Sequence, residues 1–197
     1  MATLSRRVGP LAVDISATSP EVIERFGDLL SAFPERAPGA AVDLDIEIVG
    51  EGPEHLDVVV NGARRLAGAP LWEIEDRLLS NFNGWLLARE PDRIHIHGAL
   101  VSREGVGALL VGASGSGKST FTAHLVQHGW TYHTDETAAS VPGTSAWGSY
   151  PRPITLKRGS WPVFPDLPSI AEAAKDTARA ADHELSLIHI SEPTRPY

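Results

Sequence analysis

Apolar residues recur along the N-terminal half of the chain with two different periods. Val42 to Val49 alternates as Val-Asp-Leu-Asp-Ile-Glu-Ile-Val, which predicts a strand with one face in water. Leu11 to Ser16 and Leu56 to Val60 are further apolar runs of strand length, with Glu51-Gly52-Pro53 turning the chain into the second. Asn61-Gly62 predicts a tight hairpin from there into Arg64-Arg65-Leu66. Helical spacing governs Val22, Ile23, Phe26, Leu29, Leu30 and Phe33, opened by Ser19 as N-cap with Pro20 at the first helical position and closed by Pro34. It returns in Leu71 to Arg89, where Trp72, Ile74, Leu78, Leu79, Phe82, Trp85 and Leu86 form an apolar stripe read as core. Residues 1–90 are therefore expected to form a small α+β lobe with no visible chemistry.

The pattern changes character after residue 90. Arg93 to Val101 alternates and predicts a strand with His95 and His97 on one face; Glu104-Gly105 then turns into Gly107-Ala-Leu-Leu-Val111, a short apolar run suited to a buried strand. Phe121 to His128 continues as a helix stopped by Gly129, and Gly129 to Glu136 returns as a strand ending in two acids.

Between that strand and that helix stands Gly112-Ala-Ser-Gly-Ser-Gly-Lys-Ser-Thr120, which fits the phosphate-binding loop G-x-x-x-x-G-K-[ST]. Glycines let the backbone turn tightly enough for successive N–H groups to face one phosphate chain. Gly112, Ser114, Gly115, Ser116, Gly117 and Thr120 are accordingly assigned to the nucleotide. Lys118 is expected to place a point charge on the β/γ oxygens, and the Ser119 hydroxyl to join the shell of a Mg²⁺ ion. The helix that follows adds its N-terminal dipole. A Gly/Ser-rich linker that happens to contain a lysine would lack the flanking strand and helix. The expected ligand is a nucleoside triphosphate, ATP with Mg²⁺.

Ligands of open α/β sheets sit at the carboxyl ends of strands, so Asp135 and Glu136 are expected to face the phosphate crevice. A carboxylate there can hold Mg²⁺ or accept a proton from an attacking hydroxyl; the plainer reading is an acidic N-cap or surface turn. Arg152 and Lys157, in and after Pro151-Arg-Pro153, are either cations near the triphosphate or acidic substrate, or solvated charges on a rigid loop. His124 and His128 lack the glutamate of H-E-x-x-H and are read as ordinary helix residues. A zinc site from His95, His97 and His133 has no evident fourth ligand. Trp147 and Trp161 are read as packing rather than as stacking platforms for a base. Ser169 to Glu184 reads as a polar, alanine-rich helix.

Composition narrows the classes. A net charge of −8 argues against nonspecific nucleic-acid binding, and 42% hydrophobic residues in 197 supply one good core with a small second lobe. The absence of cysteine excludes disulfides, zinc-thiolate sites and thiol catalysis. Met1 to Pro10 lacks an apolar signal-peptide region, and no run approaches the length of a membrane span, so a cytoplasmic protein without membrane contact is expected. No internal repeat is visible.

The far end is anomalous. Leu185 to Arg195, Leu-Ser-Leu-Ile-His-Ile-Ser-Glu-Pro-Thr-Arg, resembles the in-frame translation of a transposase adapter used in sequencing-library preparation. Residues 185–197 are therefore expected to be a non-native tail without evolved structure, and His189 and Glu192 enter no site. The nucleotide-binding domain, residues 91–184, is then expected to be cut short at its C-terminus.

His97-Gly98, the phosphate loop and the acidic pair together resemble the catalytic domain of HPr kinase/phosphorylase. More closely, the chain resembles the short HPr-kinase-related proteins, in which His-Gly/Ala, Gly-x-Ser-Gly-x-Gly-Lys-Ser-Thr, Gly-Trp-x-Tyr-x-x-Asp-Glu and Pro-Arg-Pro-x-x-Leu-Lys recur. Here the last is Pro151-Arg-Pro-Ile-Thr-Leu-Lys157. The resemblance covers roughly residues 90 to 160 and the N-terminal lobe only loosely. It implies an α/β P-loop domain related to phosphoenolpyruvate carboxykinases, with a mixed sheet. It also implies that Asp135 is the base for a substrate serine, that Lys118 and Ser119 serve phosphates and Mg²⁺, and that His97 supports Asp135. Two departures matter: the bifunctional enzymes carry Asp-Asp where this chain has Asp135-Glu136, and an Asp in the loop where it has Ala113. With no counterpart of their downstream glutamate-rich segment, reversal of phosphorylation and HPr as acceptor are not expected. Short relatives occur with ribosomal-peptide pathways, where some phosphorylate a peptide serine.

The expected activity is Mg²⁺-dependent transfer of the ATP γ-phosphoryl group to a serine or threonine of a protein or peptide, with Asp135, His97 and Lys118 carrying the chemistry and Ser119 and Glu136 the metal. Its rivals are a regulatory or scaffold protein that holds ATP without efficient transfer, and a kinase for free serine or another metabolite. A length of 197 residues with no second NTPase segment argues against a motor. The family resemblance raises homo-oligomerisation without locating a surface for it.

Overall fold

A computed structural model describes residues 1–150 and 154–164 and the backbone of residues 185–188. Arg152 and the alanine-rich segment from Ser169 to Glu184 lie outside the described residues, as do His189 and Glu192. The chain divides into two compact units, Met1–Ile94 and a second that begins at His95.

The first unit is built on a mixed five-stranded sheet in the order β1-β2-β3-β4-β5. Strands β1 (Ala2–Val8) and β2 (Leu11–Ala17) form an antiparallel hairpin, and β2 runs parallel to β3 (Leu44–Val49) after a crossover through helix α1 (Pro20–Leu29). Strands β4 (Leu56–Val60) and β5 (Ala63–Ala69) complete the sheet, and helix α2 (Leu71–Arg89) ends the unit. The alternation that predicts β3 holds: Leu44, Ile46 and Ile48 are buried while Asp45 and Val49 are exposed. Asn61 and Gly62 both take positive φ, 49° and 76°, as a two-residue hairpin between right-twisted strands requires. Its buried apolar side chains include Val13, Ile15, Ile46, Ile48 and Val58 of the sheet, Phe26 and Leu29 of α1, and Ile74 and Leu78 of α2. A charge is buried with them. Glu75 of α2 is 3% exposed and accepts a 2.7 Å bond from Arg25 Nε of α1, tying the two helices together.

The second unit departs from the expected layout in two respects. The strand predicted over Arg93 to Val101 is two strands, β6 (His95–His97) and β7 (Ala99–Arg103), separated at Gly98. And the mixed sheet lies in the first unit: every pairing among the described residues of the second is antiparallel. One sheet has the order β8-β7-β9, with β8 (Val106–Leu110) and β9 (Thr131–Thr134) on either side of β7. Another has the order β11-β10-β6, from β10 (Thr137–Ser140) and β11 (Trp147–Ser149). Helix α3 (Lys118–Gln127) follows the glycine-rich loop, and Gly129 stops it with φ 84°. Its Ala123 packs with Tyr132, Ile154, Leu156 and Phe164 in a separate core cluster. The cluster draws on β12 (Ile154–Lys157) and the end of a 3-10 helix, Arg158–Val163.

The segment expected to carry no structure pairs in part. Residues Leu185–Ile188 form β13, antiparallel to β12, with Ile154 opposite Ile188 and Lys157 opposite Leu185. A short run of Leu, Ser, Leu and Ile has the composition that any open strand edge takes up, whatever its origin.

Candidate functional site

Strands β8 and β9 both run antiparallel to the β7 between them, so they run in the same direction and end at the same edge of the sheet. The register makes this specific: Ala99 stands opposite Leu110, and Leu100 opposite Thr134. The Gly112–Thr120 loop, which leaves β8, and Asp135-Glu136, which leave β9, therefore start from one edge about two strand spacings apart, roughly 10 Å.

Gly98 makes that edge possible. A Cβ built on it would sit 2.7 Å from the carbonyl oxygen of Leu110, so only glycine lets the two backbones approach this closely. At the same place both strand pairs change sheets. His97 in β6 pairs with Thr137 in β10, Leu100 in β7 pairs with Thr134 in β9, and between them Gly98 N–H donates to the Glu136 carbonyl at 3.1 Å. Thr134 closes the turn: its hydroxyl oxygen accepts the amide hydrogens of Glu136 at 3.2 Å and Thr137 at 3.3 Å and donates to the Tyr150 carbonyl. The acidic pair is thus held in a pinned corner.

The two acids are not equivalent. Asp135 is 5% exposed and its Oδ1 accepts a 3.1 Å bond from the Tyr132 hydroxyl. Glu136 is half-buried, with its carboxylate 3.5 Å from His97 Nδ1; the same nitrogen lies 3.0 Å from the Glu136 carbonyl. The polar contacts of His97 thus go to Glu136, the neighbour of the residue that the family resemblance has it support.

On the other side, Gly117 takes φ 88° as the N-cap of α3, a left-handed conformation that a side chain would strain. The first bond of the helix proper runs from Phe121 N–H to the Gly117 carbonyl at 2.8 Å, leaving the amides of the first turn directed into the loop. Such a terminus favours an anion. Lys118 Nζ donates to the carbonyls of Gly112 at 2.8 Å and Ala113 at 3.2 Å, so the ammonium is folded across the loop it belongs to. Ser114, Gly115 and Ser116 form the exposed crest, and Ser119 is half-buried in the first helical turn. Thr120 Oγ1 lies 2.6 Å from the Ser160 hydroxyl, anchoring that turn to the 3-10 helix.

Sequence reasoning missed Tyr132, Thr134 and Ser160. The spacing Tyr132-x-x-Asp135 was visible, but strict strand alternation sends those two side chains to opposite faces. A bulge at His133, where Leu100 pairs with Thr134 but Val101 with Tyr132, breaks the alternation. His133 itself is buried, bonded to Ser102 Oγ at 2.8 Å, and burial holds its pKa below the ordinary histidine value. His95, His97 and His133 do not converge; among the described residues no three His, Asp or Glu side chains form a metal cage. The rings of His124 and His128 lie 4.1 Å apart on the exposed C-terminal turn of α3, and Trp161 packs against the core cluster with its Nε1 donating to the Leu156 carbonyl. No helix among the described residues is long and apolar enough to cross a membrane.

No protein-family model matches the chain, and no solved structure matches it. Among curated proteins it is 37% identical over 82 residues to the HPr kinase/phosphorylase of Lactobacillus delbrueckii subsp. bulgaricus, a match covering 40% of this chain and 26% of that protein. It is 42% identical over 60 residues to the HPr kinase/phosphorylase of Limosilactobacillus reuteri, covering 30% of this chain and 19% of that one. The chain thus spans 26% or less of the length of the curated relatives it matches. These partial similarities support relationship to that family at most, and the names of the relatives suggest a kinase.

Proposed function

We propose that the second unit binds Mg·ATP at the Gly112–Thr120 loop and transfers the γ-phosphoryl group to a serine or threonine hydroxyl of a protein or peptide. One observation carries the reading: the loop and the Asp135-Glu136 corner leave the same edge of one sheet, held there by the close approach of Gly98 to Leu110. In the proposed reaction the acceptor oxygen attacks the γ-phosphorus, the bond from that phosphorus to the β,γ-bridging oxygen breaks, ADP leaves, and the hydroxyl proton passes to Asp135. Lys118 and the loop amides stabilise the charge on the transferring group. Mg²⁺, when bound, neutralises phosphate charge; Ser119 and Glu136 offer it the hard oxygen donors it takes. Arg152, outside the described residues, is proposed to contact the phosphates or the acceptor.

One observation favours a second reading, an ATP-holding regulatory or scaffold protein. Asp135 is nearly buried and already engaged by Tyr132, which restricts an incoming hydroxyl. Calorimetry with Mg·ATP, paired with phosphate transfer to serine peptides and to a metabolite pool, separates the possibilities. The kinase reading expects Lys118→Ala to abolish binding, and Asp135→Asn to keep binding while losing transfer to peptide. Binding without transfer in the unaltered protein establishes the scaffold instead, and label confined to metabolites establishes a small-molecule kinase.

A further inference from the structure

We propose that Tyr132 is the positioning residue of the acidic corner, its hydroxyl fixing the orientation in which the Asp135 carboxylate meets the acceptor. The inference rests on the reading of Asp135 as the base. Tyr132 is 3% exposed and Asp135 5%, and the phenol donates to Asp135 Oδ1 at 3.1 Å inside the fold. The ring cannot swing away: it is packed with Ala123, Ile154, Leu156 and Phe164. Ala123 belongs to α3, the helix whose first turn carries Lys118, Ser119 and Thr120. One side chain therefore rests on the helix of the glycine-rich loop and grips the carboxylate that stands across from that loop.

Backbone geometry points the same way. The bulge at His133 re-aims the end of β9, and Thr134 closes the turn that follows, bringing Asp135 back towards a tyrosine that regular alternation would keep on the other face. A base held in one orientation by a locked donor is pre-organised for proton transfer; the same base released must find that orientation on each turnover.

The test is Tyr132→Phe, which keeps the packed ring and removes only the hydroxyl. It is measured with the unaltered protein, Asp135→Asn and the double variant. Positioning predicts a fall in kcat of about tenfold with the KM for Mg·ATP nearly unchanged, beside the modest fall in thermal midpoint that any lost buried hydrogen bond brings. It also predicts that Tyr132→Phe does not lower further the slow residual transfer of Asp135→Asn, read over long incubation. An unchanged kcat overturns the proposal, as do parallel losses of kcat and nucleotide affinity, or losses that add in the double variant. Absence of transfer by an unaltered protein that binds Mg·ATP sinks the kinase reading and this one with it. Transfer by the unaltered protein with an indifferent Tyr132→Phe sinks this one alone.

Discussion

Gly98 donates its backbone N–H to the carbonyl of Glu136, at the point where two neighbouring stretches of chain leave one sheet for another. The backbone at Leu110 also approaches Gly98 closely, and leaves no room for a Cβ. Gly98→Ala is therefore expected to destabilise the second unit by about 1–3 kcal/mol, the usual cost of overpacking against rigid backbone. Urea unfolding followed by tryptophan fluorescence measures it. Nucleotide affinity should fall as well, since the displaced strand carries the loop; a variant of unchanged stability and affinity would mean the edge relaxes freely.

Arg25 and Glu75 make the strongest stability prediction in the first unit. The Arg25 side chain is 33% exposed and that of Glu75 4%, so removing the cation strands a buried carboxylate. Arg25→Ala should cost about 2 kcal/mol, less than for a fully buried pair because water reaches the arginine side. Glu75→Gln should cost distinctly less, since an amide needs no counter-charge. Equal losses in chemical denaturation would show that packing, not charge, dominates.

Ser160→Ala tests the anchor of the loop helix. Losing the 2.6 Å bond to Thr120 should lower stability by about 1 kcal/mol and speed amide exchange in the first turn of α3. Exchange confined to other segments would count against the anchor.

Asp14 and His133 contribute to the acid response in different windows. Burial alone would raise the Asp14 pKa, but hydrogen bonds from Arg36 and Ser5 and the nearby Arg36 charge outweigh it and hold the carboxyl below its ordinary 3.8. Its contribution is present above that value and lost as pH falls through the lowered folded-state pKa. His133, held below its ordinary 6.5 by burial, stays neutral where the unfolded chain has already taken a proton, so stability should begin to fall once pH drops below 6.5. Unfolding midpoints measured across both windows should show a reduced upper slope in His133→Gln and a reduced lower one in Asp14→Asn.

Local signals were legible throughout. Asn61-Gly62 fixes a hairpin by turn chemistry, Leu71–Arg89 declares itself by period, and the glycine-rich loop by its spacing between strand and helix. What escaped depends on partners remote in sequence. The break at Gly98 is dictated by Leu110 and Glu136, and the burial of Glu75 by Arg25 in another helix. The grip of Tyr132 on Asp135 depends on a bulge that exists only because β7 is alongside. Strand β1, with Ser5, Arg6 and Arg7 in its middle, shows no alternation because it is an edge strand with much of its length exposed. The candidate site was thus readable as an inventory of groups, and its geometry was not.

The order of strands also bears on how the protein folds. In the first sheet the β1-β2, β3-β4 and β4-β5 pairs close over short connections, while β2-β3 spans the α1 crossover with Val13 opposite Leu44. In the second unit the pairs that build the corner join positions far apart, such as Ser102 with His133, 31 residues on, and His97 with Glu136, 39 on. Closing such loops costs chain entropy before any contact rewards it, which slows formation. The groups assigned to phosphoryl transfer should therefore come together only when those long loops close, later than the local hairpins of either unit.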